Sequence, residues 1–213
     1  MYFLDESLSF PGVTEATEDG LLAMGGDLST ARLLRAYRSG IFPWYEHGSP
    51  ILWWSPDPRM VLFPNDLKVS KSLRKVLKSK KFSCTQNLAF NEVIKQCSTV
   101  KRSGQNGTWI TSEMTTAYTR LHELGHATSM EVWYEGQLAG GLYGVDLPEF
   151  GVFCGESMFS LVSEASKVAL FFLVEELKAK HYNLIDCQVY TQHLERLGAV
   201  EIPRAAFLDY LNC

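Results

Sequence analysis

Residues 151–193 read GVFCGESMFSLVSEASKVALFFLVEELKAKHYNLIDCQVYTQH, and this stretch decides the fold. Val152 to Phe159 has strand composition, with Glu156 set among Cys154, Met158 and Phe159. A helix is predicted from about Ser163 to Ala179, with Ser160 or Ser163 as candidate N-cap. Val168 to Val174 is apolar almost all round, which predicts a buried helix rather than an amphipathic one. Lys178 and Lys180 close it, where cations suit the negative end of the helix dipole. Leu184 to Tyr190 then alternates with period two. Ile185, Cys187 and Val189 form one apolar face, and Asp186 and Gln188 share the other. Neighbours on one strand face lie ~7 Å apart. A carboxylate and a carboxamide beside a buried helix need partners or water. Two readings follow, a structural network tying strand to strand or an active-site strand, and residue types alone leave both open.

Outward from this block, the pattern before it holds helices followed by a strand meander. Strand composition at Lys81–Thr85 precedes a helix near Ala89–Cys97. The GTWI block (Gly107 to Ile110) introduces a helix from about Ser112 to Leu124, with Gly125 as its C′ residue. Ser129–Tyr134 and Gln137–Val145 read as strands joined by a hairpin turn at Glu135-Gly136. Helices, a meander, a buried helix and one more strand make an α+β domain over residues 63–213. Residues 1–62 are rich in Gly, Pro and aromatics and are assigned to a small N-terminal domain packed closely on it. There, Met24-Gly25-Gly26-Asp27-Leu28-Ser29 turns into a helix near Thr30–Arg38. Two glycines ahead of a helix are weak evidence for a phosphate cradle. The aromatics of IFPWY (41–45) and WWSPDPR (53–59) suit either a small core or a groove that stacks a base or holds an apolar side chain.

A chain of 213 residues with 46% hydrophobic residues has ample core for one large or two small domains. No apolar run approaches the ~20 residues that span a bilayer, and the first residues are acidic where a signal peptide is basic. No membrane association is expected, and a cytoplasmic monomer is. Five cysteines without a C-x-x-C pair fit reduced thiols acting as small core residues. Cys187 lies on the apolar face of its strand, which argues against a thiol nucleophile paired with His193. His122-Glu123-Leu124-Gly125-His126 matches H-E-x-x-H, but Gly125 is the expected helix stop and would leave His126 off the helical face. No metal is expected.

Net charge is −4, unevenly spread. Lys68, Lys71, Arg74, Lys75, Lys78, Lys80 and Lys81 fall in a segment that contains no acid; without these seven of the 20 basic residues, 13 remain against 24 acidic ones. SKSLRKVLKS has helical period, with Lys71, Arg74, Lys75 and Lys78 on one stripe and Leu73, Val76 and Leu77 opposite. A basic face on an otherwise acidic protein suits phosphate-backbone binding, and a solvated surface helix explains it equally well.

FCGESMFS, EASK, LIDCQVYTQHL and GAVEIPR, with GLLAMGGDLS, GIFPWY, PILWWSPDPR, GTWI and GGLYGV, resemble the leucyl/phenylalanyl-tRNA–protein transferases over nearly the whole length. The resemblance implies an acetyltransferase-like (GNAT-like) carboxy-terminal domain. It also implies an aminoacyl-tRNA donor carrying Leu or Phe (Met as a further donor) and an acceptor protein beginning with Arg or Lys, marked thereby as an N-degron. Asp186 and Gln188 are the catalytic pair it implies. The α-amine of the acceptor has a pKa near ~8, so ester aminolysis needs positioning more than a strong base. Asp186 then orients and polarises the Gln188 amide, through an intervening group because ~7 Å is too far for contact. Glu156 is the candidate for fixing the substrate amine or the terminal ribose. Trp53, Trp54, Trp109, Met158 and Phe159 are candidates for the apolar pocket, against plain core packing. Lys71, Arg74, Lys75 and Lys78 are the tRNA-binding candidates. No cofactor is expected, since SLVSE (160–164) stands where an acyl-CoA enzyme carries its R/Q-x-x-G-x-G/A loop. The alternatives are an acyl-CoA-dependent N-acyltransferase and a non-catalytic tRNA-binding protein. Leu161, Glu164, Thr128 and Lys68 depart from the family pattern, where Arg, Asn, His and His are usual, and this bears on donor preference.

Overall fold

The computed structural model describes residues 2–99 and 109–212; Gly107 and Thr108 of the GTWI block and Cys213 lie outside them. A small sheet comes first. It is built from β1 (Tyr2–Leu4), β2 (Leu21–Gly25), β3 (Phe42–Pro43) and β4 (Leu52–Trp54) in the order β1-β2-β4-β3. Helix α1 (Thr30–Arg38) links β2 to β3. Ser29 caps it, accepting from the Arg32 N–H, and Gly40 follows its end with φ 72°. Both termini are legible in sequence because the cap and the left-handed glycine are local chemistry.

The chain then enters a seven-stranded sheet with β5 (Arg59–Leu62). It continues through α2 (Lys71–Ser79), β6 (Ser83–Gln86), α3 (Phe90–Thr99), α4 (Ser112–Glu123), β7 (Ala127–Tyr134), β8 (Gln137–Leu147) and β9 (Val152–Ser160). After these come α5 (Ala165–Ala179), β10 (Leu184–Gln188), α6 (Gln192–Leu197), β11 (Val200–Ile202) and α7 (Arg204–Asp209). The strand order is β11-β5-β10-β9-β8-β7-β6. Strand β5 precedes position 63, yet it sits inside this large sheet, between β10 and β11. Its four residues Arg59-Met60-Val61-Leu62 are all buried, as a strand flanked on both edges must be.

The expected α+β architecture is present. Strands β9 and β10 run parallel and are joined through α5, while the other described pairs of this sheet are antiparallel. Glu135 and Gly136 both take positive φ (51° and 76°), the backbone of the tight hairpin between β7 and β8. Helix α5 lies close against β8: a Cβ on Gly140 would stand 2.6 Å from the Ala165 Cβ, so only glycine allows that approach.

Three local expectations are corrected. Helix α5 begins at Ala165, not Ser163, and its N-cap is Glu164 in the left-handed region (φ 73°) with no side-chain cap. Residues 161–164 are drawn out of helix because the Leu161 and Val162 amides both donate to the Ala139 carbonyl. Helix α5 is also not buried all round: Phe172 is exposed and Phe171 half-buried, their rings packed edge to face 5.5 Å apart. Strand β10 ends at Gln188, two residues early, with a register shift against β5 between Asp186 and Gln188. The period-two alternation predicted through Tyr190 therefore breaks at Cys187.

Candidate active site

The site lies where β9 and β10 part. They pair only over Leu184–Asp186 against Val152–Cys154. Beyond that, β9 continues alongside β8 to Ser160, whereas β10 turns away at Gln188, whose φ is 61°. The opening holds a cavity of about 720 Å³, in the usual range for a small-molecule site. Glu156 and Met158 of β9, Leu170 and Leu173 of α5, and Gln188 of β10 line it. Phe42 of β3, Trp44 just after that strand, and Trp109 line it as well. A more open groove of about 800 Å³ lies between α4 and the residue 45–51 segment; Leu28, Ser29, Tyr45, His47 and Glu113 line it, but none of the catalytic, substrate-binding or tRNA-binding candidates does.

Glu156 is half-buried at the cavity wall, and its carboxylate is gripped from below. The Tyr37 hydroxyl donates to Oε1 at 2.7 Å, and the single Tyr118 hydroxyl proton is shared between Oε2, at 3.2 Å, and the Tyr37 hydroxyl oxygen. Burial, more than any neighbour, pushes the Glu156 carboxyl up to about 7; the tyrosine hydrogen bonds partly offset it and the Asp186 charge adds to it. Burial, followed by the Glu156 charge, raises both phenols well above their usual value, so they remain donors. Sequence reading misses both tyrosines, which come from α1 and α4, remote in sequence from β9.

Asp186 does not reach the cavity. It is 1% exposed and its carboxylate is taken by Arg59, which is equally buried. The Arg59 Nε donates to Oδ1 at 2.8 Å and Nη2 to Oδ2 at 2.7 Å, a bidentate pair. The Gln188 backbone N–H donates to the same Oδ1 at 3.0 Å. Asp186 thus meets Gln188 through the main chain, and the expected shared face of the two side chains is lost to the bulge. The Gln188 side chain lines the cavity, and its Nε2 is enclosed with no acceptor among the described residues. The one available sequence signal for Arg59 is a cation heading an otherwise apolar strand.

The aromatic candidates divide. Trp109, Met158 and Phe159 line the cavity, Phe159 almost wholly buried. Trp53 does not: it is the centre of the small sheet's core, fully buried, with its indole N–H on the Gly25 carbonyl at 2.9 Å and its ring edge to face with Phe10. Trp54 does not line the cavity either: it donates to the Trp44 carbonyl at 2.7 Å and packs on that ring at 5.6 Å. Strand alternation in β4 sends one tryptophan inward and sets the other beneath Trp44.

Cys187 lines the cavity, but burial raises its thiol far above the usual value, as it does that of Cys154. Neither is a thiolate nucleophile. His122 belongs to α4, stacked on Phe90 at 4.2 Å, while Gly125 (φ 80°) ends the helix before His126. The cations Lys71, Arg74, Lys75 and Lys78 are exposed on α2, with none in an ion pair among the described residues, and Leu73 anchors the opposite face.

Parallel strands that splay beside a crossover helix, with a ligand-sized cavity in the gap, define an acetyltransferase-type domain, here closed on one side by a second, small sheet. The chain matches the family model "Leucyl/phenylalanyl-tRNA protein transferase" over residues 61–212 and the model of that family's N-terminal domain over residues 26–57. It belongs to the leucyl/phenylalanyl-tRNA protein transferase family. Curated relatives of that name are similar end to end. The one from Flavobacterium psychrophilum is 60% identical, covering 100% of both chains. That from Flavobacterium johnsoniae is 57% identical over 100% of this chain and 99% of the relative. Among solved structures, a GCN5-related N-acetyltransferase from Kribbella flavida aligns at 12% identity with a TM-score of 0.39, covering 79% of this chain and 59% of that one. No helix among the described residues is long and apolar enough to cross a membrane.

Proposed function

We propose that this protein moves a leucyl or phenylalanyl group, and methionyl as a minor donor, from aminoacyl-tRNA to the amino terminus of an acceptor polypeptide that begins with Arg or Lys. The product carries a new bulky N-terminal residue, an N-degron. The observation that carries this reading is the pairing, in one apolar cavity, of the Glu156 carboxylate with the Gln188 carboxamide, whose Nε2 has no acceptor among the described residues. The 55–60% end-to-end identity to relatives named for this activity supports it.

In this reading Leu142, Met158, Leu170 and Leu173 receive the apolar donor side chain, and Glu156 accepts the donor's α-ammonium. Such a contact between an ammonium and a buried carboxylate draws the Glu156 pKa back down and favours the charged form. The neutral α-amine of the acceptor donates to the Gln188 carbonyl oxygen while its lone pair attacks the ester carbon. A C–N bond forms, the C–O bond to the terminal ribose breaks, and the proton of the attacking amine passes to the departing ribose oxygen. No external energy source is required because an ester is exchanged for an amide. Catalysis rests on holding the two reactants together, a contribution on the order of 7–11 kcal/mol. Asp186 is a positioning residue for Gln188, not a proton acceptor. Trp44 and Trp109 in the cavity lining suit stacking of the donor's terminal base, and the α2 cations suit its phosphates.

The acyl-CoA reading is disfavoured by the start of α5. The amides that would cradle a pyrophosphate there are engaged, Leu161 and Val162 on the Ala139 carbonyl, Ala165 on Val162 and Ser166 on the Ser160 hydroxyl. The test is incubation with labelled Leu-tRNA, and separately with acetyl-CoA, in the presence of an Arg-initiated peptide. Transfer from the tRNA alone is expected. Transfer only from the thioester would sink the proposal, and tRNA binding without transfer would favour a non-catalytic role. The same reaction run on a gel-filtration peak checks the expected monomer.

A further inference from the structure

We infer that Arg59 is a positioning residue of the reaction, through which the small N-terminal sheet sets the aim of Gln188; the inference rests on the function proposed above. Four contacts define its place. Its Nε and Nη2 hold Asp186, and its Nη1 donates to the Gly40 carbonyl at 3.1 Å. Its guanidinium plane lies over the Phe42 ring at 4.9 Å and the Phe207 ring at 4.7 Å. Phe42 is itself a wall of the cavity, and Gly40 follows the helix that carries Tyr37 to Glu156.

A relay therefore runs from the small sheet to the reacting carboxamide. Gly40 and Phe42 fix Arg59, Arg59 fixes both oxygens of Asp186, and Asp186 Oδ1 fixes the Gln188 N–H. The last link matters because Gln188 is held at φ 61°, a backbone region that L-residues other than Gly rarely adopt without a restraint. Released from that restraint, residue 188 would return to extended backbone, continue the β10 alternation and swing its carboxamide toward the opposite face of the sheet. The ion pair is not a charge supply for the chemistry. Both members are 1% exposed and neutralise each other, and Asp186 makes no contact with the Gln188 carboxamide among the described residues.

The experiment measures steady-state kinetics and melting for wild type, Arg59→Lys, Arg59→Gln, Asp186→Asn and the double variant Arg59→Gln/Asp186→Asn. Rates are expressed per folded molecule. Lysine keeps the charge but cannot hold both carboxylate oxygens and the Gly40 carbonyl together. Arg59→Lys should lower kcat by roughly tenfold to a hundredfold while KM for aminoacyl-tRNA stays within about twofold, because a misaimed group costs rate and not ground-state binding. Each charge-removing single variant leaves an uncompensated buried charge. The double variant leaves none, and the carboxamide oxygen introduced at position 186 can still accept from the Gln188 N–H, so its kcat should exceed that of both singles. Should Arg59→Gln unfold, Arg59→Lys and the double variant decide alone. An unchanged kcat in Arg59→Lys would overturn the inference, as would a double variant no faster than Asp186→Asn, which would assign the Asp186 charge a direct part in catalysis. A wild type that transfers nothing would instead overturn the proposed function.

Discussion

Replacing Glu156 with Gln tests the cavity's electrostatics without changing its shape. The carboxyl is raised from 4.5 to about 7 on folding, chiefly by burial. At about 1.4 kcal/mol per pKa unit, a shift of that size corresponds to roughly 3 kcal/mol. The sign follows from the protonated form being the one that folding favours. Below the unfolded pKa both states carry the proton, and the stability contribution is fully present. Between pH 4.5 and 7 the unfolded chain releases its proton while the folded one keeps it, so stability falls as pH rises, and above about 7 the loss is complete. The carboxamide introduced by Glu156→Gln cannot titrate; its carbonyl still accepts from one of the two tyrosine hydroxyls, and its NH2 group donates to the hydroxyl oxygen of the other. Urea denaturation of both proteins across pH 4 to 9 gives the difference in unfolding free energy. The variant should gain on wild type by up to about 3 kcal/mol between the acid and alkaline ends, with the change centred between the two pKa values. Parallel stability curves would refute the reasoning, because a carboxyl that is no more buried than in the unfolded chain has nothing to relieve. The same substitution should raise KM for the donor, since the ammonium loses its counter-charge.

Gln188→Ala should lower kcat while leaving tRNA affinity near wild type, measured by single-turnover rates beside filter binding, because its contact with the attacking amine matters mainly in the transition state. Changing Lys71, Arg74, Lys75 and Lys78 together to Gln should weaken tRNA binding and flatten its dependence on salt by roughly 0.7–0.9 for each phosphate that is no longer neutralised; an unchanged slope returns the stripe to a solvated face. Trp53→Ala should destabilise by roughly 3–5 kcal/mol in thermal or denaturant unfolding, whereas Trp109→Ala in the cavity lining should leave stability within about 1 kcal/mol and act on donor KM.

Much of the secondary structure is local enough to be read from sequence. Ser29, Ser70 and Gly125 terminate helices through their own hydrogen bonds or backbone freedom, and the structure places caps or stops at each. Helix α5 between two strands is visible as a run of apolar residues, and the α2 stripe as a helical period in charge. The start of α5 is not legible: Ser160 and Ser163 both suit a cap, and the choice of neither depends on where the Ala139 carbonyl lies in the neighbouring strand.

For the candidate site, the proposed residues announce themselves by type: Glu156, Asp186 and Gln188 are polar groups in apolar strands, and such groups need a reason to be there. Their division of labour is decided elsewhere. Strict alternation puts Asp186 and Gln188 side by side, but the bulge at Cys187 sends one to a buried arginine and the other to the cavity. That arginine comes from β5, and the tyrosines on Glu156 come from α1 and α4. Trp53 and Trp54 are indistinguishable until β4 finds its place in the small sheet. Periodicity reports which face a side chain shares with its sequence neighbours, and a hydrogen-bond partner brought from a distant part of the chain is invisible to it. What the chain's sequence determined by itself was the set of elements and the polar residues they must accommodate; which of those residues are satisfied internally, and which remain open to a substrate, was settled only when the two sheets closed on each other.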